Sequence, residues 1–230
     1  GKYIDVTGSD AASDCIECSA GRYVNVTGSD AVSDCIECVA GRFSDIDGSD
    51  SASNCINCMA GRYVAVAGSD EASDCHECVA GKYRDEQMAS PSPPASHCID
   101  CAVGKYVDVS GSDHSSDCID CIAGKYIDHT GGDEEADCID CAAGKYSAVV
   151  GAEVESNCTE CGAGKYVEES GSDDEEGCID CAAGRYVENR GSFLEANCTA
   201  CAIGKYSRLV GSTAESNCID CVAGKYLSVA

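Results

Sequence analysis

Apolar and polar residues alternate in short bursts that return every 20 residues. Stretches such as Tyr3-Ile4-Asp5-Val6-Thr7 read as short strands, with successive side chains on opposite faces. Each burst ends at a Gly-Ser pair, crosses a polar stretch and closes on a C-x-x-C. Gly-basic-aromatic triplets mark the starts at Gly1, Gly21, Gly41, Gly61, Gly81, Gly104, Gly124, Gly144, Gly164, Gly184, Gly204 and Gly224. Eleven tandem cysteine-rich repeats therefore fill 1–223, and 224–230 begin a twelfth. The predicted fold is an elongated rod or solenoid of small disulfide-rich repeats. Each 20-residue unit would consist of short β-strands and turns, with little or no helix.

The consensus is G-(K/R)-Y-(I/V)-x-V-x-G-S-D-x-x-S-(D/N)-C-I-(D/E)-C-x-A. Glycine at positions 1 and 8 marks tight turns where a Cβ would clash. The Asp or Asn at position 14 (Asp14, Asp34, Asn54, Asn217) is suited to an Asx-turn leading into the C-x-x-C. The aromatic at position 3 is Tyr or Phe43 in every start, and the chain has no Trp. These rings must supply much of each unit's buried area, stacked on a disulfide or on the next unit's backbone. A sugar-binding aromatic ladder is the sharper reading of the same positions. Position 2 is basic in all twelve starts, and position 17 is acidic in nine of the eleven full repeats. Position 17 lies five residues before the next basic residue, which predicts a row of weak inter-repeat ion pairs. The basic row could instead recruit an anionic polysaccharide. One repeat, 81–103, is irregular: it lacks the second Gly and inserts Met88-Ala89-Ser90-Pro91-Ser92-Pro93-Pro94, predicting a surface loop or kink.

Composition explains why the cysteines matter. Only 37 of 230 residues are Leu, Ile, Val or Phe, and the net charge is −26, values that alone would predict disorder. The 22 cysteines reverse that expectation, because covalent staples can replace a core. The charge excludes nucleic acid as a partner. No apolar run approaches the ~20 residues of a membrane span. The chain starts at Gly1 without an initiator Met or signal pattern, as expected of a processed chain or a piece of a longer one.

Three chemistries fit the repeated C-x-x-C. Neighbouring repeats give C-x2-C-x16-C-x2-C, a four-thiolate zinc spacing, but eleven pairs is an odd number and the repeat has a period of one. A thioredoxin-like dithiol needs one motif at a helix N-terminus. Structural disulfides remain, either closed within each C-x-x-C or linking the second Cys of one repeat to the first of the next. The second scheme is preferred because it ties repeat to repeat, and each such loop removes roughly 3 kcal/mol of unfolded-state freedom. It pairs Cys18–Cys35, Cys38–Cys55, Cys58–Cys75, Cys78–Cys98, Cys101–Cys118, Cys121–Cys138, Cys141–Cys158, Cys161–Cys178, Cys181–Cys198 and Cys201–Cys218. Cys15 and Cys221 are then left for an intermolecular bond or a chain continuation, and head-to-tail bonding between copies would build a filament.

Taken together, C-x-x-C-x-A-G-(K/R)-Y-x4-G-S-x5-C-x-x-C closely resembles the ephrin-receptor-like cysteine-rich repeats, relatives of the TNF-receptor and growth-factor-receptor modules. The family's Gly and aromatic fall on Gly21 and Tyr23, and on Gly41 and Phe43. This chain departs by placing Ala, Val, Ser, Met, Ile or Gly where the family favours Pro after the second Cys. The resemblance implies extracellular, disulfide-laddered modules of stalks, adhesion proteins and surface proteins. It implies no catalytic activity and names no ligand.

The remaining motifs point the same way. Asn25, Asn157 and Asn197 open N-x-(S/T) glycan acceptors, expected of a secreted or surface glycoprotein. Ser and Thr beside the second Gly, and Ser90 to Ser92, are weaker O-glycan candidates. Acidic clusters such as Asp173-Asp174-Glu175-Glu176 suit solvated surface or, at most, weak Ca²⁺ binding, so no resident cofactor is expected. His76, His97, His114 and His129 fall at unrelated repeat positions, and no nucleophile–base set can be assembled. The expected function is a structural extracellular rod or filament body, not an enzyme. The alternative is a receptor or adhesin ectodomain for a protein or carbohydrate, with 81–103 as its first candidate site.

Overall fold

The computed structural model describes residues 1–85 and 97–223. Every described repeat builds the same element from its own two ends. Positions 2 and 3 pair antiparallel with positions 16 and 17, as in Lys2↔Glu17 with Tyr3↔Ile16, and Lys125↔Asp140 with Tyr126↔Ile139. A three-residue 3-10 turn, for example Val32–Asp34 or Glu135–Asp137, precedes the first Cys. No α-helix occurs among the described residues. The architecture is therefore a series of small two-stranded ladders stapled by ten disulfides. The insertion at Met88–Pro94 and the partial repeat at 224–230 lie outside the described residues.

The strands are shorter than the alternation predicts. Position 4 is buried, with Val24 at 3% exposure, but position 6 is not, with Val26 at 62%. Only two residues pair, so position 6 falls beyond the ladder in the bend leading to the second Gly. Position 14 also acts in the opposite direction to the expectation. The Asp34 carboxylate accepts from the backbone N–H of Asp30 (3.0 Å) and Ala31 (3.3 Å). Asp117 and Asn157 do the same in their repeats. The side chain thus closes the turn behind it, because the residues ahead of it are already held in the ladder.

The chain forms two compact parts, one of Gly1–Cys101 with Val107–Cys118, the other of Ala102–Tyr106 with the chain from Ile119 onward. In the first, the Gly21 N–H donates to the Ser44 carbonyl (2.8 Å), Val24 to Ser49 (3.0 Å) and Gly48 to Cys18 (2.7 Å). In the second, Gly124 donates to Ser147 (2.7 Å), Ile127 to Ala152 (3.1 Å) and Gly151 to Cys121 (2.7 Å). Each part is built by the same rule: a repeat's start bonds to the next repeat, and its final Cys carbonyl accepts from the repeat after that. Backbone groups that a small core would leave unpaired are satisfied between repeats.

Glycine at position 1 is required for two separate reasons. Gly124 has φ +83°, and a Cβ built there would stand 2.2 Å from the Gly171 carbonyl oxygen. An alanine would meet both a disfavoured left-handed backbone and a main-chain atom two repeats away. Gly162, at position 19, has nothing within 4 Å of a built Cβ. We expect Gly124→Ala to destabilise by at least about 1–3 kcal/mol, and Gly162→Ala to be neutral or mildly stabilising. Denaturant unfolding of the oxidised protein checks this. Equal effects at both positions would contradict the close-approach account.

Candidate functional site

The unit of chemistry in this chain is the junction between consecutive repeats. The second Cys of each repeat is bonded to the first Cys of the next: Cys18–Cys35, Cys38–Cys55, Cys58–Cys75, Cys78–Cys98, Cys101–Cys118, Cys121–Cys138, Cys141–Cys158, Cys161–Cys178, Cys181–Cys198 and Cys201–Cys218. Their Cα–Cα separations are 5.6–5.7 Å, within the usual range for a bridge. Cys15 and Cys221 are free thiols and half-buried. With the other sulfurs bonded in pairs, the four-thiolate zinc arrangement is not formed. Among the described residues, no three His, Cys, Asp or Glu side chains gather as a metal site would need.

Six of the ten disulfides are packed by two side chains from two repeats. Cys18 and Cys35 bury with Val24, and Tyr3 leans on them. The same set recurs as Cys121, Ile127 and Cys138 under Tyr106, and as Cys161, Val167 and Cys178 under Tyr146. The aromatic of one repeat thus covers the bridge that ties it to the next. Burial raises the Tyr166 hydroxyl above the ordinary phenol value, and Glu195 and Glu168 add to it. Tyr186 is raised in the same way, by burial and then by Glu215 and Glu188.

Where position 4 is not aliphatic, the junction needs polar partners, since a buried hydroxyl left unbonded is costly. Ser44 Oγ lies 3.3 Å from Ser49 Oγ, and Ser207 Oγ lies 3.2 Å from Ser212 Oγ. Ser147, whose neighbour at position 9 is Ala152, accepts instead from the Val149 N–H at 3.3 Å. In the irregular repeat the same position holds Arg84, a cation only 5% exposed. Burial lowers its guanidinium below the ordinary value.

The ion pairs correct a prediction from spacing. Position 17 does not reach forward to the next repeat. It pairs across the ladder with position 2 of its own repeat: Lys2–Glu17 at 3.1 Å, Arg22–Glu37 at 2.8 Å, Lys105–Asp120 at 2.6 Å and Lys125–Asp140 at 2.9 Å. Antiparallel pairing places these two side chains directly opposite one another. In the repeat where position 17 is Ala200, Arg185 donates to the Cys198 carbonyl at 3.0 Å instead. The side chains stay exposed, so each pair is worth only about 0–1 kcal/mol.

The irregular repeat keeps its ladder, Lys82–Tyr83 with Ile99–Asp100, but its bridge spans 20 residues where the others span 17. A cavity of about 140 Å³ sits there, lined by Tyr63, Val79, Lys82, His97 and Cys98. His97 occupies position 14, where most other repeats carry the Asp or Asn that closes the preceding turn. The irregular repeat 81–103 was the first candidate site from sequence, and Lys82, His97 and Cys98 of the lining come from it; Tyr63 and Val79, from the preceding repeat, were not singled out. The other histidines are scattered. His76 stands edge-on to Tyr63 at 6.2 Å, His114 lies 3.8 Å from Asp85, and His129 lies 3.8 Å from Asp128. Asn25 is exposed at position 5, whereas Asn157 and Asn197 are half-buried at position 14.

Residues 1–55 and 129–178 match the family model described as tyrosine-protein kinase ephrin type A/B receptor-like. The matched stretches are ephrin-receptor-like cysteine-rich repeats, and the repeats between them carry the same ladder and bridge. No curated protein matches the chain. Repeats of this kind, with this density of disulfides, point to an extracellular or cell-surface location. No helix among the described residues is long and apolar enough to cross a membrane.

The junction account predicts a strong, local effect of cutting one bridge. Replacing Cys161 and Cys178 by Ser should cost about 3 kcal/mol. The opening should appear as faster amide exchange around Val167 and Tyr146, with little change three or more repeats away. Arg22→Gln, which removes one exposed ion pair, should shift stability by at most about 1 kcal/mol. Exchange that rises uniformly along the chain would contradict the local picture.

Proposed function

We propose that this chain of ephrin-receptor-like repeats is a structural extracellular protein, a stiff disulfide-laddered rod or the repeating body of a surface filament. The observation that carries this reading is the sameness of the junctions. Every junction from Cys18–Cys35 to Cys201–Cys218 uses the same bridge, six carry the same aliphatic residue under a covering ring, and the same inter-repeat backbone hydrogen bonds recur along the chain. Recognition of a partner normally singles out a few positions, and here almost none is singled out. Repeats that bond to their neighbours in this way are quasi-one-dimensional, so length grows with repeat number while each junction stays unchanged.

The same reading assigns the two free thiols. Cys221 is chemically the second Cys of a repeat awaiting its bridge, and Cys15 is the first Cys of a repeat with no bridge behind it. Each could take its partner from a continuation of the chain or from another copy; a Cys221–Cys15 bond between copies would repeat the internal junction and extend the structure head to tail. A second reading, a receptor or adhesin ectodomain, draws on one observation: the cavity beside Tyr63, Lys82 and His97 at the one irregular junction.

Small-angle scattering and non-reducing electrophoresis test the structural reading together. The chain should scatter as a rod with a single cross-section, and an oligomer ladder should appear on mild oxidation and vanish in Cys221→Ser. A compact globular scattering profile would remove the rod. A single monomer band that persists under oxidation would remove the head-to-tail bond.

A further inference from the structure

The three N-x-(S/T) motifs sit in two different local settings. Asn25-Val26-Thr27 lies in the bend between the ladder and the second Gly of its repeat. All three of its residues are exposed, and Val26 retains 62% of its surface. Asn157-Cys158-Thr159 is instead built into a junction. The Asn157 carbonyl oxygen accepts from the Glu153 and Val154 N–H groups at 3.1 and 3.2 Å. Cys158 is 7% exposed and bonded to Cys141. Thr159 is paired with Tyr146 in the ladder. Asn197-Cys198-Thr199 shares the bridge and the ladder: Asn197 ends the Glu195–Asn197 turn, Cys198 at 1% exposure is bonded to Cys181, and Thr199 is paired with Tyr186.

We infer that Asn25 is the N-glycosylated asparagine of this chain, and that closure of the Cys141–Cys158 and Cys181–Cys198 bridges withholds Asn157 and Asn197. The transfer forms a bond between the Asn amide nitrogen and C1 of an oligosaccharide. The bond from C1 to the pyrophosphate of a lipid-linked donor breaks, and the amide proton is lost. The acceptor segment must therefore be free to bend around the amide, as a surface loop is. At Asn25 that freedom survives folding. At Asn157 and Asn197 it ends when the central Cys is bonded, because the Asn then lies in the turn and the Thr in the ladder.

Chain order sharpens the difference. Cys141 precedes Cys158, so every residue of that loop has been made by the time Cys158 emerges, and the bridge can close as Thr159 follows. The loop around Asn25 closes only when Cys35 arrives, ten residues later. Even after closure, Asn25 stays outside the packed set of Cys18, Val24 and Cys35. The consequence is a glycan at one defined place in the first part, while Asn157 and Asn197 in the second part remain bare.

This inference rests on the secretory route of the extracellular reading, and the test separates the two. The full chain is expressed in a eukaryotic secretory host, with and without a mild reductant during synthesis. Occupancy at each Asn is read by mass spectrometry after enzymatic deglycosylation in heavy-oxygen water. Asn25 should be occupied in most chains under both conditions. Asn157 and Asn197 should be mostly empty in oxidising medium and rise several-fold with reductant, and Cys141→Ser should raise Asn157 alone. A secreted, disulfide-bonded chain with Asn25 bare would overturn the inference while leaving the extracellular reading intact. Occupancy at Asn157 and Asn197 that equals Asn25, or that ignores both reductant and Cys141→Ser, would overturn the protection by bridge closure.

Discussion

The structure depends on one bond repeated: a disulfide from the end of each repeat to the beginning of the next cysteine pair. A 20-residue unit with so few large apolar side chains cannot bury enough surface to offset its chain entropy. The bridge reduces that entropy by closing a loop in the unfolded chain, and it supplies the apolar nucleus on which Tyr and the position-4 residue pack. The other recurring features follow from keeping this bridge close and covered. Glycine at position 1 lets the backbone approach, a small buried residue at position 9 bridges to the aromatic of the preceding repeat, as Ser49 does to Tyr23 and Ala152 to Tyr126, and the ladder joins the two ends of each repeat.

The arrangement also separates stability from surface chemistry. The junctions are held mainly by backbone, sulfur, a position-4 side chain and a half-buried ring, so the exposed positions are free to be acidic. Twelve of the fifteen Lys and Arg residues stand at position 2 of their repeats, where most of the described ones meet an acidic side chain across the ladder. The excess of acidic over basic residues gives the chain its net charge of −26. Charge of that size keeps copies soluble and opposes sideways association.

How much of this was legible beforehand divides along a physical line. Whatever depends on covalent or steric need is written at fixed spacing: the cysteines, the glycines with positive φ, and the aromatic above each bridge. Whatever depends on which segments face each other is not. Spacing placed Glu17 nearest to Arg22 along the chain, but the antiparallel ladder sets it opposite Lys2. The alternation through Val6 suggested a longer strand, yet a ladder of two residues leaves that valine in solvent. The bond from Gly48 back to Cys18 crosses into the second repeat along, a reach no nearest-neighbour reading would assign. The cavity at the irregular junction was hidden for a related reason. The insertion marked the repeat 81–103, but Tyr63 and Val79 sit at ordinary positions of the repeat before it, and only folding brings them to His97.

The central claim is that bridges run between repeats and never within a C-x-x-C, and non-reducing proteolysis with mass spectrometric linkage mapping tests it most directly. The account predicts cross-linked peptides joining Cys18 to Cys35, Cys38 to Cys55 and so on to Cys201 with Cys218. Peptides in which Cys35 is bonded to Cys38, or Cys138 to Cys141, would contradict it.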